Sequence, residues 1–243
     1  IVVEASPAYA ASQAPRLRKA LLLVPGLKAV LLLREPAARA YSHFRMAVRN
    51  GYIFPDILAA AGVPRCHEDT AACLEQLLAR HVILATPAWR ECFKTGRLPP
   101  GLLSGKELAR AAQCVEAMPE VYWTPGPLEP FLIGSYAKPV AAFSEVFGHD
   151  LFVGMAHEVM DAKGHGEVLR SLCEFLGVDM LPTMGECFAA VGNEKAEPNA
   201  EKEREMGINV TEITPVLRRL LRALYDPDVR ELEEFLGREL EWE

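Results

Sequence analysis

Short apolar runs alternate along the chain with segments that are apolar on one side only. Residues 27–33 are apolar apart from Lys28 and contain the β-branched Val30, which predicts a strand buried on both faces. Residues 1–4 and 151–155 have similar runs and are predicted to be strands of the same sheet. These three runs predict a central parallel sheet.

The segments between and after these runs have helical spacing. Glu35-Pro36 opens a helix, with proline at the first position, where its missing N–H costs nothing. Strands followed by helices are typical of an α/β fold with helices on both faces of the sheet, here a single domain over residues 1–243. Further helices are predicted over residues 13–24, 136–147, 168–176, 215–225 and 227–236. The last two are expected to be separate helices, because Pro227 separates them.

Residues 51–130 have a weaker pattern, in which prolines and glycines separate two helical pieces. Asp69 can cap the first piece, and Ser104 and Glu107 have the spacing of a capping box before the second. Because ligands of α/β folds bind beyond the carboxyl ends of the strands, we interpret this region as an insertion on the side of the sheet where a substrate would bind.

Composition and charge narrow the function classes. The chain of 243 residues is 50% hydrophobic, and its 26 basic and 33 acidic side chains give a net charge of −7. This balance argues against a nucleic-acid partner, which requires clustered lysine and arginine. The most apolar stretch is interrupted by Pro25, Gly26 and Lys28, so no membrane-spanning segment is predicted.

The six cysteines form no C-x-x-C pair, and the histidines lack metal-ligand spacing, so no metal site is expected. Cys173 lies on an apolar helix face and is predicted to be buried. Cys92 and Cys114 flank a Pro/Gly-rich turn and could form a disulfide in an oxidising compartment, but the pattern leaves their redox state open.

The clearest candidate for a binding site is the run that begins at Arg34, with the sequence Arg-Glu-Pro-Ala-Ala-Arg-Ala-Tyr-Ser-His. It places Arg34 where a strand ends and Ser42 about two turns into the next helix. A guanidinium fork with a nearby hydroxyl is suited to clamping a phosphate. The alternative is that Arg34 only forms an ion pair with Glu35 or another surface acid.

This run resembles the 3′-phosphate-binding motif of sulfotransferases that use 3′-phosphoadenosine-5′-phosphosulfate (PAPS), particularly the heparan and chondroitin sulfate group. The resemblance implies a three-layer fold like that of P-loop NTPases, with PAPS as co-substrate and Arg34 and Ser42 holding its 3′-phosphate. It also implies a weaker donor contact from Lys195, in an acid-rich loop. Other segments resemble the family in order and spacing, at residues 3–9, 134–140, 174–177 and 236–242.

The resemblance implies transfer of a sulfuryl group from PAPS to a hydroxyl or amine of a glycosaminoglycan-like carbohydrate, in the Golgi lumen. The family's Lys-containing Gly/Thr loop and its glutamate base do not occur in the sequence, and its second lysine falls at Ala5. We therefore expect an N-terminally incomplete fold and poor transfer, and assign no catalytic residue. The alternative is a catalytically inactive module that binds a nucleotide or a glycan.

Overall fold

The computed structural model describes residues 14–50, 69–85, 103–116, 135–160, 167–180, 205, 212–240 and 242. The predicted strand at residues 1–4, together with Ala5, Cys92 and Lys195, lies outside these ranges.

The described elements are mostly helices around two short strands. Both strands and all helices are numbered separately in chain order. They are α1 (Ala14–Leu23), β1 (Ala29–Leu33), α2 (Pro36–Arg49), α3 (Thr70–Ala85), α4 (Gly105–Glu116), α5 (Ala137–Phe147), β2 (Leu151–Met155), α6 (Ala156–Met160), α7 (Glu167–Leu176) and α8 (Pro215–Leu236).

The two strands pair in parallel. Their register runs from Ala29 opposite Leu151 to Leu33 opposite Met155. This confirms two of the three predicted strands, although β1 begins at Ala29 rather than at residue 27. Parallel strands need a crossover connection, and here the segment between β1 and β2 contains helices. The fold therefore belongs to the α/β class.

The prediction that the first of these strands is buried on both faces is wrong. The side chains of Val30 and Leu32 are 37% and 47% exposed, whereas Leu33 is buried. In β1 every residue is apolar, so polar and apolar residues do not alternate between the two faces of the strand. Such a sequence does not show whether one face or both faces are covered by helices. On β2 the corresponding face is covered, because Phe152 packs against Phe175 of α7 with ring centroids 5.7 Å apart.

The chain divides into two compact units. The first, here called the sheet unit, comprises Ile1–Arg34, Ser135–Glu197 and Asp228–Glu243. The second, the helical unit, comprises Glu35–Gly134 and Pro198–Pro227. The single domain expected over residues 1–243 stays a prediction.

The core of the sheet unit lies on the face of the strands that α5 covers. Side chains of both strands, of α5 and of the C-terminal segment form one buried cluster: Leu33, Ala137, Val140, Met155, Leu232 and Leu240. A second cluster joins Leu17 of α1 to Phe143 and Phe147, whose rings stack 5.7 Å apart. The helical spacing of residues 136–147 correctly predicted this buried face.

Helix α7 packs on the opposite face of β2. It ends at Gly177, whose φ of +72° suits glycine, and the Val178 N–H donates to the Cys173 carbonyl at 3.0 Å. Cys173 is buried, as the sequence predicted, and its thiol is free.

In the helical unit, the side-chain caps predicted at the ends of α3 and α4 are confirmed. The Ala72 N–H donates to Asp69 Oδ1 at 2.8 Å at the start of α3. At the start of α4, the Ser104 N–H donates to Glu107 Oε2 at 2.7 Å, while Ser104 Oγ accepts from the Glu107 N–H at 3.4 Å. The region expected to be an insertion therefore contains helices that begin at the predicted residues.

The helical unit is held together by apolar packing and by buried polar pairs. Tyr41 of α2 hydrogen-bonds Thr70 of α3, with oxygens 3.0 Å apart. The buried Gln76 side chain donates to the Leu103 carbonyl at 2.7 Å and accepts from the Leu103 N–H at 2.8 Å. Because both groups of the amide are satisfied, its burial carries little penalty.

The prediction of two separate C-terminal helices is wrong. Helix α8 runs from Pro215 to Leu236 with Pro227 inside it. Proline removes one helical hydrogen bond and is usually a breaker. Here buried leucines occur on both sides of it, with Leu220 and Leu221 before it and Leu232 after it, and their burial favours a continuous helix.

Helices of the described ranges are all too short or too polar to cross a membrane.

Candidate functional site

Arg34 lies at the carboxyl end of β1, directly after the last residue of the parallel ladder. Its side chain is exposed. Within the described ranges, the guanidinium forms no ion pair. In α/β folds this edge of the sheet is where ligands bind, so the position suits an anion-binding role.

The alternative of an Arg34–Glu35 ion pair is not supported by the geometry of Glu35. Glu35 is 6% exposed and caps α2, its Oε2 accepting from the Ala38 N–H at 2.5 Å. Its Oε1 lies 3.8 Å from Nε of Arg222. Glu35 therefore uses both carboxylate oxygens within the helical unit.

The backbone of Arg34 is fixed by a tyrosine from the sheet unit. The Tyr136 hydroxyl donates to the Arg34 carbonyl at 3.0 Å. The Tyr136 ring stacks on Trp242, with centroids 6.5 Å apart and planes at 20°. Its N–H donates to Asp228 Oδ2 at 2.5 Å. Tyr136 thus connects the end of β1 to the start of α5 and to the C-terminal segment.

Asp228 caps α5 from a distant part of the chain. Besides the Tyr136 N–H, it accepts from the Ala137 N–H at 3.3 Å, and Tyr136 itself contributes no side-chain cap. Burial raises the pKa of the Asp228 carboxyl, and the two backbone hydrogen bonds partly oppose this rise. Sequence reasoning missed this contact, because the acceptor and donors are far apart in the chain.

The same edge of the sheet holds a second anchored turn. The Met155 N–H at the end of β2 donates to Glu158 Oε2 at 3.1 Å, and Glu158 Oε1 lies 3.6 Å from Nη1 of Arg238. His157, on the intervening helix α6, is half-buried. Glu158 is engaged in fixing this turn and is not assigned a catalytic role.

Ser42 lies on the exposed side of α2 in the helical unit. The opposite side of the helix is buried: Ala37, Ala40, Tyr41, Phe44, Ala47 and Val48. Helix α2 contains no acidic residue, and arginines lie one turn before and one turn after the serine, at positions 39 and 45. In the described part of the chain, the Ser42 hydroxyl forms no hydrogen bond. An exposed hydroxyl can donate to an anion.

His43 does not add a positive charge to this face. Burial lowers the pKa of His43, and the nearby positive charge of Arg39 lowers it further. The imidazole is therefore neutral at neutral pH, so its contribution near an anion is limited to hydrogen bonding.

Several further residues are either exposed or outside the described ranges. His149 is exposed, with Nε2 3.5 Å from Asp150 Oδ2. Lys195, the third predicted donor contact, lies outside the described residues, as do Glu4, Ala5 and His165. In the described ranges no group of three or more potential ligands could hold a metal ion.

Two cysteines of the helical unit are disulfide-bonded, Cys73 in α3 and Cys114 in α4. The sequence suggested a disulfide between Cys114 and Cys92. Because Cys92 lies outside the described residues, that pairing stays a prediction, whereas the oxidised state of Cys114 agrees with it.

No protein-family profile, curated protein or solved structure matches the chain. The fold and geometry define an α/β protein with an exposed arginine at the carboxyl edge of a parallel sheet. An assignment of function within the α/β class depends on the motif residues that begin at Arg34 and on the ligands that they can bind.

Proposed function

We propose that this chain is a domain of the PAPS-dependent carbohydrate sulfotransferase class, with a three-layer fold like that of P-loop NTPases. One observation carries the proposal: the motif that begins at Arg34 coincides with the carboxyl end of a parallel strand followed by a helix. This is the setting in which α/β folds bind nucleotide phosphates.

In this proposal, Arg34 and Ser42 bind the 3′-phosphate of PAPS. The guanidinium supplies charge-assisted hydrogen bonds, which are stronger than those between neutral groups. The exposed Ser42 hydroxyl supplies a further donor, on a helix with arginines and no acidic residue. Glu35 does not compete for Arg34, because its own carboxylate is engaged with Ala38 and Arg222.

The proposed reaction moves a sulfuryl group in line from PAPS to a carbohydrate oxygen or nitrogen. The bond between sulfur and the bridging oxygen to the 5′-phosphate breaks, and a new S–O or S–N bond forms. The acceptor's proton passes to a base, and 3′,5′-adenosine bisphosphate leaves. Such reactions depend on positioning and on positive charge around the transferring group.

The two disulfide-bonded cysteines support an oxidising compartment as the place of this activity. Disulfides persist in secretory and extracellular compartments and are rare in the cytosol. Cys73 and Cys114 are both disulfide-bonded. We propose that the protein works in an oxidising compartment, with the Golgi lumen as the expected one.

The second candidate is a catalytically inactive module that binds the nucleotide or the glycan. The observation that favours it is Ala5, which stands where the sulfotransferase motif has a lysine. An alanine offers no charge to the transferring sulfuryl group. Loss of one well-placed donor costs about 10² to 10³ in rate in other enzymes.

Transfer of radiolabelled sulfate from PAPS to a pool of desulfated glycosaminoglycans separates the two candidates. Because the family's Lys-containing loop and glutamate base do not occur in the sequence, the sulfotransferase proposal predicts slow but measurable transfer of label to the glycan, and at least about tenfold less label with Arg34→Ala. Arg16→Ala, which removes an exposed arginine of α1, is the matched control and should leave transfer unchanged. Binding of 3′,5′-adenosine bisphosphate without any transfer would favour the inactive module.

A further inference from the structure

Tyr136 connects the proposed donor site to the rest of the sheet unit, and nothing in the proposed chemistry requires this contact. We propose that Tyr136 is a positioning residue, which holds Arg34 in the orientation that binds the donor's 3′-phosphate. This inference rests on the proposed function of Arg34, and it adds a residue that acts through Arg34 rather than on the ligand itself.

The contact acts at the point where the regular structure of β1 ends. The ladder between the strands stops at Leu33 and Met155, so it does not fix the Arg34 carbonyl. The hydrogen bond of 3.0 Å from the Tyr136 hydroxyl does so instead. This carbonyl belongs to the peptide that follows Arg34. Fixing that peptide restricts the backbone from which the exposed guanidinium projects.

Tyr136 can do this because the residue is held independently of Arg34. Its N–H is bound by Asp228, and its ring stacks on Trp242. It also packs against the buried cluster that contains Leu33 and Leu240. Because the ring is held at these points, its hydroxyl is a fixed hydrogen-bond donor. The conformational entropy of the Tyr136 side chain is lost on folding, so ligand binding need not restrict it further.

These contacts also explain why Tyr136→Phe is a clean test. Phenylalanine keeps the ring that stacks on Trp242 and the backbone N–H that Asp228 binds, and it removes only the hydroxyl. In this proposal the hydroxyl acts through Arg34 and does not touch the ligand. A change in affinity must therefore pass through Arg34 or through a general loss of structure, and the two routes can be distinguished.

The experiment is calorimetric titration of the parent, Tyr136→Phe, Arg34→Ala and the double variant with two probes. One probe is 3′,5′-adenosine bisphosphate, and the other is adenosine 5′-monophosphate, which lacks the 3′-phosphate. Tyr136→Phe should weaken binding of the bisphosphate roughly three- to tenfold, the range expected for one hydrogen bond, and leave binding of the monophosphate unchanged. In the Arg34→Ala background, Tyr136→Phe should have no further effect.

Trp242 provides a second pair of variants. Trp242→Phe retains an aromatic ring for stacking and should bind the bisphosphate like the parent. Trp242→Ala removes the stacking partner of Tyr136, and should weaken bisphosphate binding while leaving monophosphate binding unchanged. Thermal unfolding of each variant shows whether it is folded at the temperature of the titration.

The possible failures are distinguishable. If Arg34→Ala weakens bisphosphate binding and Tyr136→Phe does not, the positioning role is wrong and the donor site stands. If Tyr136→Phe weakens both probes equally, or adds its full effect to that of Arg34→Ala, its role is structural and the inference is overturned. If Arg34→Ala leaves bisphosphate binding unchanged, both the proposed site and this inference are wrong.

Discussion

Glu75 is a buried carboxylate of α3, and the hydroxyl of Thr214, just before α8, donates a hydrogen bond to its Oε2. Burial raises the pKa of Glu75 above its ordinary value of 4.5, although hydrogen bonds from Thr214 and the Leu217 N–H oppose the rise. The folded chain therefore binds this proton more tightly than the unfolded chain. The stability that Glu75 contributes is present below pH 4.5 and is lost as the pH rises through the raised pKa.

We predict that Glu75→Gln reduces this dependence of stability on pH. Urea unfolding of the parent and the variant between about pH 2 and 8 measures it, and the parent should lose stability relative to the variant as the pH rises. Glu107→Gln is the control. Hydrogen bonds from Ser104 lower the pKa of Glu107, so the stability it contributes is lost as the pH falls below 4.5. The stability difference between the parent and each variant should change with pH in opposite directions for Glu75→Gln and Glu107→Gln. A change in the same direction would contradict these assignments.

Gly154 of β2 is required by the close approach of a neighbouring ring. A Cβ at this position would lie 2.8 Å from Cε1 of Phe152. That ring cannot move freely, because it packs against Phe175. We predict that Gly154→Ala destabilises the protein by about 1–3 kcal/mol, the usual cost of overpacking.

Gly105→Ala is the matched control for this change. Gly105 is the first residue of α4, and nothing lies within 4 Å of a Cβ added there. Alanine should stabilise the protein by up to about 1 kcal/mol, because it reduces the freedom of the unfolded chain. Chemical unfolding measures both variants, and equal effects would show that Phe152 gives way.

At the scale of elements, the start of α5 depends on Asp228, which reaches it from α8. We predict that Asp228→Ala costs about 1–2 kcal/mol of stability, as expected for the loss of a helix cap. Asp228→Asn should cost less, since an amide oxygen still accepts from the Tyr136 and Ala137 N–H groups and a neutral group is easier to bury. Chemical unfolding at neutral pH measures the difference, and an alanine variant as stable as the parent would exclude the cap.

The elements that the sequence predicted well have their signals close to their ends. Glu35-Pro36, Asp69 and the pair Ser104 and Glu107 mark helix starts, because each cap acts within one turn of its own residue. The cap that Asp228 gives to α5 could not be predicted this way, since its acceptor arrives through tertiary packing. The break predicted at Pro227 failed for a related reason: propensity is local, whereas the burial of leucines on both sides is not.

For the site, the sequence supplied residue types and their order but not their partners. Arg34 was predicted from the motif, and the structure places it at the carboxyl edge of the sheet. Its contact with Tyr136 depends on how α5 packs beside β1, which no local spacing reports. The exposure of Val30 and Leu32 was missed because an unbroken apolar run is compatible with either one or two covered faces.

At the scale of the whole molecule, the cysteines should differ in reactivity. Cys73 and Cys114 are disulfide-bonded, whereas Cys173 is free and buried. We predict that alkylation of the unfolded, unreduced protein modifies Cys173 and spares Cys73 and Cys114, which react only after reduction. Peptide mass spectrometry identifies the modified sites. Alkylation of Cys73 or Cys114 without a reductant would contradict the oxidised assignment and weaken the proposal of an oxidising compartment.

The central claim is that Arg34 binds the 3′-phosphate of a sulfate donor, and calorimetric titration with 3′,5′-adenosine bisphosphate tests it most directly. A charge-assisted hydrogen bond contributes about 1.5–3 kcal/mol, so Arg34→Ala should weaken binding by roughly tenfold or more. Ser42→Ala should weaken it less, and Arg16→Ala should not change it. Equal affinity in the parent and the Arg34→Ala variant would contradict the assignment of the motif and, with it, the proposed function.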